Sequence, residues 1–163
     1  YRLPLTVGNP DRTIEVYVFG EPTGQAAATC GDCGISAPGT VSIEIHAAQC
    51  PAGYGGSDYY NDCHGNGVAG IAFSVSNANG ASQEVTSQIE TSPGPGIARA
   101  NGLDLGVFSV WEPYAGPGEP VYVFCSPDQG ATAFVDQFTT ASEGVSITLD
   151  AGTALVCDWY LLS

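Results

Sequence analysis

Hydrophobic and polar residues alternate along most of this chain with a period of two, the mark of strands that bury one face. The cleanest run spans residues 41–54. Val41, Ile43, Ile45 and Ala47 fall on one face and Ser42, Glu44, His46 and Ala48 on the other, and the run then enters Cys50, Pro51 and Gly53. It predicts the first strand of a disulfide-stapled β domain, with His46 exposed on its polar face. Similar runs follow at 68–75, 83–90, 106–112, 121–125, 131–138, 144–149 and 154–161. Turn signals separate them: Asn79-Gly80, Pro93 to Gly96, Asn101-Gly102, the proline- and glycine-rich stretch 113–120, and Asp150 to Thr153. Every window of helical length is broken by glycine or proline or has period two, so no helix is predicted. Short strands at this spacing describe an antiparallel β-sandwich.

A run of another kind precedes the domain. Over residues 13–19, Ile14, Val16 and Val18 share one face while Glu15, Tyr17 and Phe19 share the other, so both faces carry large apolar groups. Such a strand is buried on both sides or pairs beyond its own domain. The expected organisation is an N-terminal extension over residues 1–40, containing this strand and a loop, and a sandwich over 41–163. The extension strand is expected to present Ile14, Val16, Tyr17, Val18 and Phe19 as a subunit interface by adding to the open edge of a neighbouring copy. A head-to-tail contact of that kind that does not close makes a filament.

Composition narrows the setting. Six cysteines, an even number, favour an oxidising, extracellular or cell-surface location. Three arginines stand against 17 acidic residues, for a formal charge of −14, and there is no lysine. Nucleic acid and anionic membrane surfaces would be repelled. No apolar run of about 20 residues exists, so no membrane insertion is expected. The absence of lysine also excludes a Lys–Asn isopeptide staple.

From Cys50 onward, a set of motifs accumulates: Cys50-Pro51 with Gly53-Tyr54; Gly70-Ile71, Phe73 and Val75 before the Asn79-Gly80 turn; Gly106, Phe108, Val110 and Glu112; Cys125; the strand beginning Gly144-Val145; and Cys157 with Trp159-Tyr160. Over about 120 residues this resembles the prealbumin-like (SpaA-type) β-sandwich domains of bacterial cell-surface adhesins and pilin subunits, within the wider immunoglobulin-like class. The resemblance implies a rigid building block of a surface fibre or pilus-like filament, a homo-oligomer or homopolymer, and no catalysis. The alternative is a monomeric adhesion or carbohydrate-binding module with a polysaccharide or host-surface ligand. The pairing expected is Cys50–Cys63 and Cys125–Cys157, leaving Cys30–Cys33, one of several connectivities that the count allows. A Cys125–Cys157 link would tie two core strands and contribute about 3–4 kcal/mol.

Candidate chemistry is sparse. Cys30-Gly31-Asp32-Cys33 has redox-like spacing, but no helix begins there to lower a thiolate pKa and Asp32 opposes one, so a structural staple is expected. The same pair supplies two of the four ligands that a structural zinc needs, and His46 or His64 would have to complete the set. His64 with Asp58, Asn61 and Asp62 offers ligands for calcium or a transition metal, but lacks the spacing of a calcium loop. Neither a metal nor a cofactor is expected. The two histidines and the absence of a Gly-x-Ser-x-Gly elbow leave no serine triad. Glu112 with Asp104 or Glu119 has no defined acid–base spacing, and no catalytic residue is expected. Tyr54, Tyr59 and Tyr60, near Trp111 or Trp159, either stack on a sugar ring or cover a small core.

Overall fold

The computed structural model describes residues 2–6, 13–17, 40–127, 132–150 and 153–162. The chain divides into two compact units, Tyr1–Gly34 and Ile35–Ser163. In the first, β1 (Arg2–Thr6) pairs antiparallel with β2 (Thr13–Tyr17), with Leu5 opposite Ile14, Leu3 opposite Val16 and Arg2 opposite Tyr17. Ile14, Val16 and Tyr17 therefore lie on a strand with one edge already paired within the chain. Val18 and Phe19 lie outside the described residues, as do Cys30 and Cys33.

The second unit holds β3 (Thr40–Gln49), α1 (Tyr59–Cys63), β4 (Ala72–Asn77), β5 (Ser82–Thr86), β6 (Gln88–Ile89), β7 (Gly96–Asp104), β8 (Gly106–Trp111), β9 (Pro120–Ser126), β10 (Val135–Thr140), β11 (Val145–Leu149) and β12 (Ala154–Leu161). They build a six-stranded sheet, β10-β9-β12-β3-β7-β6, and a four-stranded sheet, β11-β8-β4-β5. The inner faces interdigitate in one apolar core. Val41, Ile43, Ile45, Val121, Val123, Leu155 and Trp159 come from the first sheet, and Phe73, Val75, Phe108, Val110, Val145, Ile147 and Leu149 from the second. Each such side chain contributes about 1.5–3 kcal/mol when fully buried. Cys125 and Cys157 are directly opposed on the antiparallel pair β9–β12 and are joined by a disulfide within this core.

Four local expectations need correction. The sheets are not wholly antiparallel, because β12 runs parallel to β3, placing the first and last strands of the sandwich side by side. The run 83–90 is not one strand. It leaves the four-stranded sheet as β5 and joins the six-stranded one as β6, turning at the fully buried Ser87. The Ser87 hydroxyl donates to the Val68 carbonyl at 2.8 Å and accepts from the Ile71 N–H at 3.0 Å, so the crossing leaves that buried oxygen satisfied.

Asn101-Gly102 is not a turn either. It lies inside β7, where the register slips by one opposite Ser42 and Gly102 takes φ +66°. Asn79-Gly80 does form the β4–β5 turn, with Gly80 at φ +86°. The same tolerance of positive φ serves a bulge in one place and a hairpin in the other. Finally, a helix is present. α1 is a single turn, capped by Asp58, whose side chain accepts from Asn61 N–H. One turn is too short to leave a 3.6-residue pattern in the sequence.

Among the described residues, one carboxyl group is buried in the sandwich. Glu112, 8% exposed, accepts a 2.6 Å hydrogen bond from the Trp159 indole N–H. Burial raises its pKa above the usual range; the indole hydrogen bond opposes the shift and the nearby charge of Glu119 adds to it. A carboxyl whose pKa is raised on folding gives stability that is full below its unfolded pKa and declines as pH rises through the folded value. Glu112→Gln, which keeps an acceptor for Trp159 without a charge, is expected to be at least as stable as the natural protein at pH 7. Its relative advantage should shrink as the pH falls below the normal glutamate range. Denaturant titrations at several pH values check this; a variant weaker at pH 7 and equal at low pH would contradict it.

Candidate functional site

The outer face of the six-stranded sheet carries the side chains that the core does not use. Period two fixes which they are. On β12, Leu155, Cys157 and Trp159 point into the core, so Val156, Asp158 and Tyr160 point out. On β3, Glu44, His46 and Ala48 do the same. The parallel register sets Val156 beside Glu44, Asp158 beside His46 and Tyr160 beside Ala48. Across the other edge of β12, Asp158 is paired with Phe124 and Tyr160 with Tyr122, and Tyr122 is paired in turn with Phe138 of β10.

His64 arrives from a different part of the chain. It is the C-cap of α1 and directly follows Cys63, which is bonded to Cys50 just past the end of β3. That link closes cysteines 13 positions apart. It seats α1 over a second apolar cluster, in which Ala48, Cys50, Cys63 and Tyr160 are buried and Tyr54, Tyr59 and Tyr122 pack around them.

Three polar side chains meet at the result. His46 Nδ1 lies 3.2 Å from Asp158 Oδ1 and 3.4 Å from His64 Nε2, and His64 Nε2 lies 3.6 Å from Asp158 Oδ1. His46 is 8% exposed, so the expectation of an exposed strand histidine is overturned: His64, the C-cap of α1, packs edge-on against its ring. Its other ring nitrogen, Nε2, is 2.7 Å from Glu44 Oε1. Glu44 Oε2 accepts a 2.7 Å hydrogen bond from Arg99 Nε, and the Arg99 guanidinium also forms an ion pair with Glu90.

Burial depresses the pKa of His46, but the hydrogen bonds to Asp158 and Glu44 outweigh it and hold the pKa above the usual value. Burial lowers that of His64; the charge of Asp158 opposes this and that of His46 adds to it. Two adjacent imidazoles are thus driven in opposite directions.

Beside this cluster opens a cleft of about 260 Å³. Its walls include Asp58, Tyr59, Tyr60, Tyr122, Phe124 and Asp158. Tyr59 stacks on Tyr122 with centroids 4.1 Å apart, Phe138 stands 5.1 Å from Tyr122, and Tyr60 stacks on His64 at 4.5 Å. Tyr60 and Phe138 are 60% and 65% exposed. The phenol of Tyr122 is pushed up to about 12 by burial and by its hydrogen bond to Asp136, so it stays protonated at physiological pH.

The other residues singled out in the sequence are placed elsewhere. Asp58 caps α1 and Asp62 accepts from the Tyr54 hydroxyl at 2.8 Å, so neither shares a ligand cluster with His64. Tyr54, Tyr59 and Tyr60 do not gather on a tryptophan. Trp159 is buried against Phe73 inside the sandwich, and Trp111 lies on β8 of the other sheet. Glu112 faces Trp159 in the core rather than a second carboxylate in an open site. The partners that sequence reasoning missed are Asp158, Tyr122 and Phe138. Their outward phase was readable from the strand pattern, but their neighbours depended on strand order.

Comparison with protein families, with curated proteins and with solved structures finds no match.

If the Cys50–Cys63 link is what seats α1, replacing both cysteines by serine should cost about 2–4 kcal/mol. Amide exchange over residues 59–64 should accelerate well before that of β9 and β12. Unchanged stability together with unchanged exchange in α1 would rule out this role.

Proposed function

We propose that the sandwich is an extracellular binding module that takes a neutral, hydroxyl-rich polysaccharide in the aromatic cleft on the outer face of its six-stranded sheet. The observation that carries this reading is an open cleft walled by half-buried Tyr59 and Tyr122, exposed Tyr60, Asp58 and Asp158, with exposed Phe138 packed beside Tyr59 and Tyr122. Sugar rings present C–H faces that pack on aromatic rings and hydroxyls that carboxylates accept, and a patch of exposed aromatics is the kind of surface that marks binding. A net charge of −14 disfavours an anionic polymer. The disulfides of the described residues, Cys50–Cys63 and Cys125–Cys157, fit an oxidising extracellular setting. The reading accords with the adhesin side of the resemblance to prealbumin-like surface domains.

A second reading, the strand-exchanged fibre subunit, draws on the compact N-terminal unit Tyr1–Gly34. Because β1 occupies one edge of β2, addition to a neighbouring copy would use the other edge of β2.

A panel of neutral polysaccharides, screened by array and then by calorimetry, tests the first reading. The intact protein should bind at least one saturably, and Tyr122→Ala and Phe138→Ala should each weaken it about tenfold or more. An intact protein that binds none of the panel, or variants that bind as well as it does, would count against the cleft. For the fibre, electron microscopy should show filaments of the full chain and none of residues 35–163. Filaments from the shortened chain would eliminate strand exchange.

A further inference from the structure

We propose that His46 Nδ1, His64 Nε2 and Asp158 Oδ1 form a mononuclear site for a divalent transition-metal ion, with zinc as its reference occupant. The three atoms stand 3.2, 3.4 and 3.6 Å apart. Ligand atoms of a tetrahedral zinc ion, each about 2.0–2.1 Å from the metal, stand roughly 3.3–3.4 Å from one another. The protein thus holds its donors at the spacing of three corners of such a site. Two imidazoles and a carboxylate are a donor set suited to zinc and its neighbours in the first transition row rather than to calcium or magnesium.

The groups around these three side chains are those that orient metal ligands. A ligating histidine characteristically donates its other N–H to a carboxylate, which fixes the tautomer and raises its basicity. His46 has that partner: with the proton on Nε2 and donated to Glu44, Nδ1 presents its lone pair toward Asp158 and His64. Glu44 is itself held by Arg99. Arg99 is the single arginine or lysine of the sandwich unit, and it is engaged in positioning this carboxylate. The His64 ring is also oriented, by its stack on Tyr60. Three protein ligands leave a fourth position open. Asp158 lines the cleft, so the site borders it.

Without an ion, the same side chains have another arrangement, in which His46 is an imidazolium donating to both Glu44 and Asp158. The experiment must separate the two, and it does so independently of what fills the cleft. The purified full-length protein is stripped with chelator and titrated with zinc chloride by calorimetry, with thermal midpoints measured alongside. One zinc per chain should bind, and the midpoint should rise. His64→Ala removes a partly exposed loop side chain and Asp158→Asn keeps the volume; each should weaken zinc at least about 100-fold with an unaltered far-ultraviolet spectrum. Glu44→Gln should weaken it about 10–100-fold with stoichiometry retained, because Glu44 touches the ligand His46 and not the ion.

Asp62→Asn controls for diffuse attraction to an acidic surface and should bind as the natural protein does. Phe138→Ala should also keep its zinc affinity even where it loses polysaccharide. A natural protein that takes up no zinc, or His64→Ala and Asp158→Asn variants that bind it normally, would overturn the proposal.

Discussion

Strand β12 is the element on which both the core and the candidate site depend. It lies in the interior of the six-stranded sheet, hydrogen-bonded antiparallel to β9 and parallel to β3. Its eight residues divide by period two into a core half and a site half. Leu155, Cys157 and Trp159 supply an aliphatic contact, a disulfide and the largest fully buried side chain. Asp158 and Tyr160 supply a ligand-type oxygen and the buried base of the aromatic cleft. A slip of one residue would exchange the two sets, putting Asp158 into the core and Trp159 on the surface. The cross-strand Cys125–Cys157 bond opposes such a slip covalently.

The outer face illustrates how an acidic protein can position charge with very little opposing charge. Glu44, Glu90, His46 and Asp158 lie close together near a single arginine. Arg99 makes contact with two of the carboxylates, Glu44 and Glu90, leaving Asp158 to the histidines. Surface ion pairs of this kind contribute little to stability, typically under about 1 kcal/mol. Their consequence here is orientation: the Arg99–Glu44–His46 sequence of contacts aims Nδ1 at Asp158 and His64. The neighbouring aromatic cluster uses charge only at its rim, where Tyr122 donates to Asp136 and Tyr54 to Asp62. It rests on the second small apolar core beneath α1, which the Cys50–Cys63 bond closes.

Much of the sandwich was legible in the sequence because strand phase is a local property. Val41, Ile43, Ile45 and Ala47 all face the core, as do Val145, Ile147 and Leu149. Neighbourhood was not legible, because it depends on which strands lie side by side. Nothing in residues 41–49 announces that the chain's last strand will pair with them in parallel, so Asp158 could not be matched to His46. The pattern of β3 also read His46 as exposed, since alternation describes the sheet and not what covers it. The link between Cys50 and Cys63 held the missing information. A bond between the end of β3 and the residue before His64 brings the two histidines close. Asn101-Gly102 erred for a different reason, because positive φ is a backbone requirement shared by turns and G1-type bulges.

Among the described residues the sandwich has four edge strands and no lysine, the residue natural sheets favour at exposed edges. β6 is only two residues long, which leaves little ladder for a second chain to extend. β5 carries exposed Gln83 and Glu84, and β10 carries exposed Asp136 and Gln137. Short length and carboxylates thus take the place of lysine at three of the four edges. β11 differs: its outward positions are the uncharged Ser146 and Thr148, while Val145, Ile147 and Leu149 are buried. An added strand would find there a regular, uncharged edge with an apolar inner face beside it. If any edge of this sandwich accepts a strand from another chain, the physical case is strongest for β11, because the other three carry a charge or offer too few hydrogen-bonding positions.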